Sequence, residues 1–581
     1  MIASEAGGAR SRVREPRALP GARDPRMLLE AVVVFAGVLL VYLSTLAEAH
    51  GEAEDSMRYA MEVRSGDPEL LFIPYHLAYG WVGRGFYLLW TAFGWDRGSL
   101  VPLQVLNALI GAFGVGVLWC VLRGVVAGRL AAVAGCGLLA FSAGYWWYSV
   151  EVEVYVLSAV VLIGAITFAL RAATAPSETA FLRLGLISGL AVLGHNTNVL
   201  FGGVGLAALV IAAPRLTRGR VVRCGLWYAA GTVLVVGPAY AVALAVVDAT
   251  TPSEAYDWMT GYVFGPEWGT WSATSVVKAV TGLGRGLIGG HFAFSLDPVR
   301  DAVLPLVPRE TMRERLFLVR NFTPGLALAL VPLVLATGAG VVVLVVRWLR
   351  RPVLTEQTRV LAILCLVWFV TYAAFFTWWE PFNVEFWIAP WVALAILFAI
   401  CNAERPDRPL RWRGLAIGVV VVSLFTCNLV GTVWPQLDRE NDYWRVRLAW
   451  FEENAVDSDL IVAQQPTVAY YLRYFAPSRV IDAELEVFLP VSPDHERAVV
   501  ELDARLNREA ADRVLTSDEF FHPAADEYSC CPDADLAAQG LAARSRFFGR
   551  SRILATPELE VVYEIERTSG SRSPDPRATR R

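Results

Sequence analysis

Long apolar runs separated by short charged breaks fill the first three quarters of the chain. A run of about 20 apolar residues is long enough to cross the hydrocarbon core of a bilayer as a helix. The length and spacing of these runs favour helices over strands, so the pattern predicts about eleven transmembrane helices. Their expected positions are residues 27–47, 99–122, 130–148, 151–170, 182–195, 198–213, 224–247, 325–346, 360–378, 384–400 and 412–434.

The distribution of arginine predicts the orientation of these helices, because cytoplasmic loops carry an excess of Lys and Arg. The N-terminal tail, residues 1–26, is rich in arginine, and every second loop after it is also arginine-rich. We therefore expect a cytoplasmic N-terminus. Residues 48–98, residues 248–323 and everything after about residue 435 are then expected on the outer side of the membrane.

Composition agrees with a polytopic membrane protein, since 55% of the residues are hydrophobic and the mean hydropathy is +0.45. A net charge of −4 offers no basic surface for nucleic acid, which we exclude as a partner. Arginine dominates over lysine, with Lys278 the only lysine, and Ala, Gly and Val abound. This usage is typical of a GC-rich bacterial genome, so the expected location is the bacterial inner membrane.

Two outer regions have a character of their own. Residues 70–93 are apolar and aromatic but interrupted by Pro74, His76 and Arg84, which predicts helices lying at the membrane interface. Helical and strand-like stretches alternate after Trp434, among them expected strands at 459–463 and 479–482 and an expected helix at 467–475. This alternation predicts a small α/β domain over residues 435–567. The Ser-, Arg- and Pro-rich residues 568–581 are expected to be disordered. The predicted fold class is thus an α-helical polytopic membrane protein with a small extracytoplasmic α/β domain.

An acidic segment, residues 50–59, directly follows the first predicted span. Its carboxylates are Glu52, Glu54 and Asp55. Unpaired charge beside hydrocarbon is costly, so carboxylates concentrated there indicate a catalytic or binding role. The segment is therefore our candidate active centre. For Asp55 a second interpretation is open, in which it only caps a helix that begins before Met57. His50, Glu52, Glu54 and Asp55 together also offer the ligands that Mg²⁺ or Mn²⁺ prefers, and the sequence leaves metal binding open.

Two further stretches combine aromatic rings with polar groups. Glu151 and Glu153 follow Trp146 and Trp147, while Glu380, Asn383 and Glu385 lie between Trp378 and Trp387. Rings pack on the C–H face of a sugar while its hydroxyls bind carboxylates, so both stretches are candidates for sugar binding. The alternative for both is an aromatic belt at the membrane surface. His195 is either a substrate-binding residue or a polar group hydrogen-bonded between helices.

Several of these stretches resemble the GT-C glycosyltransferases, polytopic enzymes that include protein O-mannosyltransferases and aminoarabinose transferases. The resemblance rests on Asp55-Ser-Met-Arg58-Tyr59-Ala60 after one span, on Pro74 to Tyr79, on Trp146 to Tyr155 and on Gly189 to Asn198. The last two stretches are similar to the bacterial O-mannosyltransferase-like branch. The resemblance covers roughly residues 27–400. Many relatives carry Asp-Glu in the first outer loop where this chain has Glu54-Asp55, so the carboxylate that occupies the catalytic position is open.

The resemblance implies transfer of a sugar from a polyprenyl-phosphate donor to a hydroxyl of a protein, glycan or lipid at the outer face. A carboxylate would take the proton of the acceptor hydroxyl as general base. Asp55 is the expected base, with Glu54 or Glu52 as the alternative, and attack opposite the phosphate would invert the anomeric centre. Groups on the predicted outer side are the candidates for holding the phosphate. They are Arg58, Arg285, Arg315, Arg320, His76 and His291.

The main alternative from another functional class is a transporter of lipid-linked or small polar substrates. Transporters place charged residues or broken helices at mid-membrane depth and often show internal repeats. The predicted spans carry almost no acidic residues at mid-depth, and no repeat is evident. A scaffold whose outer domain binds a partner would leave the carboxylates of the first loop without a task. We therefore favour an enzyme.

Overall fold

The computed structural model of the chain is mostly helical. It describes residues 25–51, 53, 55–126, 128–260, 269, 271–304, 309–350, 355–403, 410–476, 478–483, 495–521, 542 and 544–567. Glu52 and Glu54, two of the candidate carboxylates, lie outside the described residues, as do residues 1–24 and 568–581.

The helices up to residue 436 form the larger of two regions. They are α1 (Pro25–Leu43), α2 (Asp55–Ser65), α3 (Pro68–Leu71), α4 (Leu77–Ala92), α5 (Leu100–Val125), α6 (Arg129–Ala140), α7 (Ala143–Val150), α8 (Tyr155–Thr174), α9 (Glu178–Gly194), α10 (Gly202–Ala212), α11 (Arg218–Val246), α12 (Pro252–Thr260), α13 (Ser275–Leu287), α14 (Asp297–Val303), α15 (Arg309–Leu318), α16 (Pro324–Leu349), α17 (Glu356–Trp379), α18 (Ile388–Cys401), α19 (Leu410–Asn428) and α20 (Trp434–Gln436). A π-helical turn, Leu429–Val433, joins the last two.

Eight helices within the described residues are long and apolar enough to cross a membrane, and a ninth span results if α6 and α7, bent by 61° at their junction, count as one. The sequence predicts about eleven spans. The two additional ones correspond to α9, with 17 residues, and to the apolar stretch Glu385–Cys401, both short for a bilayer. The interfacial helices expected over residues 70–93 correspond to α3 and α4, and neither is among the candidate spans.

Local sequence explains where several spans begin. Thr323, Thr355 and Ser177 each accept a hydrogen bond from the backbone N–H three residues on, and so cap α16, α17 and α9. The buried core of the helical region packs α5, α6, α8 and α18 around small residues and large rings such as Trp146 and Trp368. Lipid is expected to cover the apolar side chains that α11 and α16 leave exposed.

The second region is the α/β domain that the sequence predicts. It contains α21 (Tyr443–Asn454), β1 (Leu460–Ala463), α22 (Pro466–Phe475), β2 (Arg479–Asp482), α23 (His495–Arg508), β3 (Val514–Ser517), α24 (Asp518–Phe521), β4 (Ser551–Ala555) and β5 (Val562–Ile565). Its sheet has the order β2-β1-β3-β5-β4. The first three strands are parallel, with Leu460 opposite both Arg479 and Val514, and β5 and β4 are antiparallel.

The two regions are joined at α2. Helix α22 packs on α2 through an apolar cluster that includes Met57, Tyr59, Tyr471 and Leu472. The backbone N–H of His50 donates to the Asp442 carboxylate at 2.9 Å, and the same carboxylate accepts from the Tyr471 hydroxyl at 3.1 Å. The loop that carries the acidic segment is thereby bound to the α/β domain.

Candidate active site

Asp55 is the first residue of α2 and is half-buried. One helical turn later, the Tyr59 hydroxyl donates to Asp55 Oδ2 at 3.2 Å and also lies 3.1 Å from His76 Nε2. His76 is buried, and burial, together with the proximity of His195 and the charge of Arg58, lowers its pKa well below the ordinary value. A neutral His76 with its hydrogen on Nε2 would donate to Tyr59, which donates to Asp55. These residues hold the candidate base in one orientation.

Two more carboxylates lie close to Asp55. Glu153 is 2% exposed, and its Oε2 has no hydrogen-bond partner among the described residues. Burial raises the pKa of Glu153 well above the ordinary value, and the charges of Glu385, Asp55 and Glu151 raise it further. Glu385 accepts a hydrogen bond of 2.6 Å from the Tyr155 hydroxyl. We call Asp55, Glu153 and Glu385 the carboxylate cluster, three acidic groups that the chain contributes from widely separated segments.

His195 borders this cluster. It ends α9, and its ring lies 4.9 Å from the ring of Tyr155 and 6.5 Å from that of His76. Its Nδ1 is 2.8 Å from Thr197 Oγ1, and burial lowers its pKa to about 4. His195 is therefore a neutral, hydrogen-bonded group in the wall of the candidate site, a position compatible with both interpretations of this residue.

Glu151 is engaged in an ion pair. Its two carboxylate oxygens lie 2.9 and 3.0 Å from His50 Nδ1, and both side chains are buried. Burial lowers the pKa of His50, but the Glu151 carboxylate raises it by more, so the net shift is upward and favours a charged pair. The pair fastens the loop before α2 to the end of α7 and gives Glu151 a structural task.

Metal binding in the acidic segment stays a prediction. The described residues contain no group of three or more His, Cys, Asp and Glu arranged to hold a metal ion. His50 Nδ1 faces Glu151, which leaves Asp55 as the member of the predicted ligand set that is both described and turned toward the candidate site. The other two members, Glu52 and Glu54, are not described.

A cationic group lies next to the carboxylate cluster. The Arg285 and Arg315 guanidinium carbons lie 4.8 and 5.0 Å from the ring centre of Phe382. Arg285 Nη2 is 3.3 Å from His291 Nε2, and the His291 ring packs at 5.1 Å on the ring of Trp147. We call Arg285, His291 and Arg315 the cationic cluster. Its donors are suited to a phosphate group.

The amphipathic pattern of α13 explains why Arg285 points inward. Val276, Val277 and Val280 are exposed on one face, as expected for a helix at a membrane interface, while Ala279, Gly282 and Arg285 are buried on the other. A Cβ on Gly282 would lie 2.4 Å from the Pro381 carbonyl oxygen, so glycine is required for this close approach. Helix α13 thereby brings Arg285 against the loop that follows α17.

This loop, residues 380–385, joins the two clusters. Asn383 Nδ2 donates to Glu380 Oε1 at 3.3 Å, and Asn383 Oδ1 accepts from the Glu385 backbone N–H at 3.3 Å. Phe382, whose ring contacts both arginines, lies between Glu380 and Asn383 in the sequence. Glu380 and Asn383 therefore shape the loop, whereas Glu385 and Phe382 face the two clusters.

Two predicted phosphate-binding candidates remain, Arg58 and Arg320, and they differ in position. Arg58 is half-buried on α2 and donates from Nε to Glu62 Oε1 at 2.8 Å, one turn from Asp55. Arg320 lies over the ring of Phe317 at 4.0 Å and is exposed, and no contact of the described residues brings it to either cluster.

Sequence reasoning did not select four positioning residues. Tyr59 and Tyr155 orient Asp55 and Glu385. Asn107 donates from Nδ2 to the backbone oxygens of Glu151 and Glu153, both at 2.7 Å. Phe382 supports the two arginines. The spacing of Tyr59 four residues after Asp55 on one helix was a usable signal, whereas Asn107 lies inside an apolar span and gave none.

No protein-family model and no curated protein matches the chain. Among solved structures it is similar to ArnT from Cupriavidus metallidurans bound to undecaprenyl phosphate, with a TM-score of 0.56, 16% identity, and coverage of 93% of this chain and 98% of that one. The apo form of the same protein matches with a TM-score of 0.47, 15% identity and coverage of 92% and 98%. The mycobacterial arabinofuranosyltransferase AftD matches with a TM-score of 0.35, 14% identity and coverage of 93% and 40%.

The first match supports the fold. It extends over nearly the whole length of both chains, so the helical region and the α/β domain occur together in the two proteins. The chain is a polytopic helical membrane protein of GT-C-like fold, as the sequence predicts.

Proposed function

We propose that the protein is a membrane glycosyltransferase that moves a sugar from a polyprenyl-phosphate donor to a hydroxyl acceptor at the outer face of the bacterial inner membrane. One observation carries the proposal: the loop 380–385 brings a carboxylate cluster and a cationic cluster together in a fold similar to that of ArnT, which was solved with undecaprenyl phosphate bound. A lipid phosphate and an activated hydroxyl need these two kinds of group side by side.

In the proposed reaction the acceptor oxygen attacks the anomeric carbon and its proton passes to Asp55. The new C–O bond forms as the bond from the anomeric carbon to the phosphate oxygen breaks, and the electron pair leaves with the polyprenyl phosphate. Arg285, Arg315 and His291 stabilise the charge on this phosphate. Attack from the side opposite the phosphate inverts the anomeric centre. Glu54 is the alternative base, since relatives with Asp-Glu in this loop leave the assignment open.

The proposal is tested by an assay of sugar transfer from radiolabelled polyprenyl-phosphate donors. The assay uses membranes that carry the wild type, Asp55→Asn or Glu54→Gln. Polyprenyl-phosphate mannose is the first donor to try, given the resemblance to the O-mannosyltransferase-like branch. Loss of transfer in one variant, at equal expression, identifies the base. Equal activity in all three rejects this segment as the catalytic centre. Label that crosses the membrane still attached to its phosphate supports a transporter instead.

A further inference from the structure

The α/β domain has a feature to which the proposed reaction assigns no role. Its parallel strands are ordered β2-β1-β3, so β2, the strand that follows β1, lies on one side of it, while β4 and β5, the strands that follow β3, lie on the other side of the sheet. This divergence is a topological switch point at the carboxyl ends of β1 and β3. In open α/β sheets ligands bind in the crevice at such a point.

Buried polar side chains gather at this edge of the sheet. Gln464 follows β1, Asp482 ends β2, Ser517 ends β3, and Glu519 comes two residues later, each no more than 4% exposed. Gln465 donates to Glu519 Oε1 at 3.1 Å and thereby links the ends of β1 and β3. The Ser517 hydroxyl is buried without a hydrogen-bond partner among the described residues. A buried hydroxyl in this state is costly for the fold and is suited to a ligand.

Helix α22 connects this edge to the candidate active site. It begins at this edge of the sheet with Pro466 and packs along α2, the helix that starts with Asp55. Tyr470, half-buried in its second turn, packs against the apolar cluster that joins α22 to α2, and the charges of Arg58, Glu62, Asp55 and Asp482 act on its hydroxyl. Burial raises the pKa of the Tyr470 hydroxyl to about 12, with Arg58 opposing and the three carboxylates adding to the rise.

The position of α22 is fixed by specific contacts. The Tyr474 hydroxyl accepts from the Leu100 backbone N–H at 2.9 Å, and its ring lies 5.7 Å from the Arg64 guanidinium. Gly98 has a φ of +87°, and a Cβ there would lie 2.6 Å from the Tyr474 hydroxyl. These contacts hold α22, which begins at the carboxyl edge of the sheet, in a fixed position against the helical region that carries Asp55.

We propose that the carboxyl edge of β2-β1-β3, together with Tyr470 on the helix that follows β1, binds the sugar hydroxyls of a glycan or glycolipid-headgroup acceptor. Carboxylates, amides and hydroxyls placed beside an aromatic ring form the combination that recognises a polyhydroxyl ligand. As an acceptor subsite the crevice rests on the proposed function, because it supplies the hydroxyl that Asp55 deprotonates. A phosphate or dinucleotide fits less well, since the turn Gln464-Gln465-Pro466-Thr467 has neither glycine nor a basic residue.

Saturation-transfer NMR on the full chain in nanodiscs tests the inference without requiring turnover. The probes are three disaccharides, cellobiose, N,N′-diacetylchitobiose and mannobiose, and a Ser/Thr-containing peptide. The variants are Tyr470→Phe and Asp482→Asn. Asp512→Asn is the matched control, because Asp512 lies at the opposite edge of the same sheet, where it accepts from Ser458 at 2.7 Å. Asp55→Asn is included to separate binding from transfer.

We expect at least one disaccharide to show saturation transfer with the wild type, the control and Asp55→Asn, and at least a fivefold lower signal with Tyr470→Phe and Asp482→Asn. Signal from no disaccharide, from the peptide alone, or of equal size in all variants would overturn the proposed acceptor subsite. A third outcome is that sugar binding survives in Asp55→Asn while no protein transfers the radiolabel. This outcome would support a sugar-binding site at the sheet edge and reject the glycosyltransferase. The two failures are therefore distinguishable.

Discussion

The carboxylate cluster and the cationic cluster share the loop 380–385 but are built in opposite ways. In the first, tyrosine hydroxyls orient Asp55 and Glu385, the histidines are neutral, and burial together with neighbouring carboxylates raises the pKa of Glu153. In the second, two arginines stack on one aromatic ring beside His291. In the proposed reaction, proton acceptance and phosphate binding therefore belong to separate segments, and each should respond to its own mutations.

The largest effect is expected from Asp55→Asn. Loss of a general base typically lowers the rate by roughly a hundred- to ten-thousand-fold. Because the cationic cluster is unchanged, kcat should fall while the KM for the donor stays within about twofold. Steady-state kinetics at varied donor concentration measures both quantities.

Asp67→Asn is the matched control for that variant. Asp67 lies in the same predicted outer segment and caps α3 by accepting from the Glu69 backbone N–H at 3.0 Å, a task that asparagine also performs. Its activity should equal that of the wild type. A donor KM that rises in parallel with the loss of kcat in Asp55→Asn would place Asp55 in donor binding instead.

Arg285→Ala should have the next largest effect and the opposite kinetic signature. Hydrogen bonds to charged groups contribute about 1.5–3 kcal/mol each, so the affinity for the donor should fall by roughly 10- to 150-fold. Competition by free polyprenyl phosphate measures this affinity without turnover. Arg320→Ala, an exposed arginine on the ring of Phe317, is the control and should bind as the wild type does. Equal losses in both variants would point to general charge rather than a built phosphate site.

Glu153→Gln tests whether Glu153 and Asp55 have different roles in the reaction. Burial and neighbouring charge raise the pKa of Glu153, so it holds a proton when Asp55 accepts one, and a neutral amide of the same shape should replace it. We expect the rate of transfer to fall by less than about tenfold, or 1.4 kcal/mol. A loss as large as that of Asp55→Asn, with a thermally stable protein, would move the role of base to Glu153.

Glu62→Gln should have the smallest effect, and the quantity it should change is the thermal stability of the protein. Burial raises the pKa of Glu62 from its ordinary 4.5 to about 7, although Arg58 opposes the shift. Between these two pH values the folded protein binds a proton that the unfolded chain has released, so stability falls as the pH rises through this window. The variant does not titrate, so its Tm should exceed that of the wild type by a few degrees at pH 8.

The difference in Tm should vanish well below the ordinary value, at about pH 3, where Glu62 is protonated in both states. Differential scanning of detergent-purified protein at both pH values provides the test. A lower Tm for Glu62→Gln at pH 8 would mean that the Arg58–Glu62 pair outweighs the cost of burying the carboxylate.

Several elements could be predicted because their signals are local. The strands Asp459–Ala463 and Arg479–Asp482 and the helix Thr467–Phe475 are expected from apolar runs and turn residues, and the structure has β1, β2 and α22 within one residue of these bounds. The short strand β4, with exposed Ile553, escapes prediction because it lacks a buried alternating pattern. Hydropathy does not distinguish the two shortest predicted spans from short buried helices, because a 17-residue apolar helix has a similar composition in both settings.

The sequence alone determined that the chain is a membrane protein with a C-terminal α/β domain, and it indicated the acidic segment and the aromatic loops as candidates, because hydropathy and charge act over neighbouring residues. Only the tertiary structure decided that Glu151 pairs with His50 while Glu153 joins Asp55 and Glu385, although the two glutamates are separated by a single valine. It also decided that Arg285 and Arg315 share one ring and that α22 of the α/β domain packs along α2, the helix that starts with Asp55. These pairings join segments up to hundreds of residues apart, and their free energy depends on burial and distance, which exist once the helices have packed.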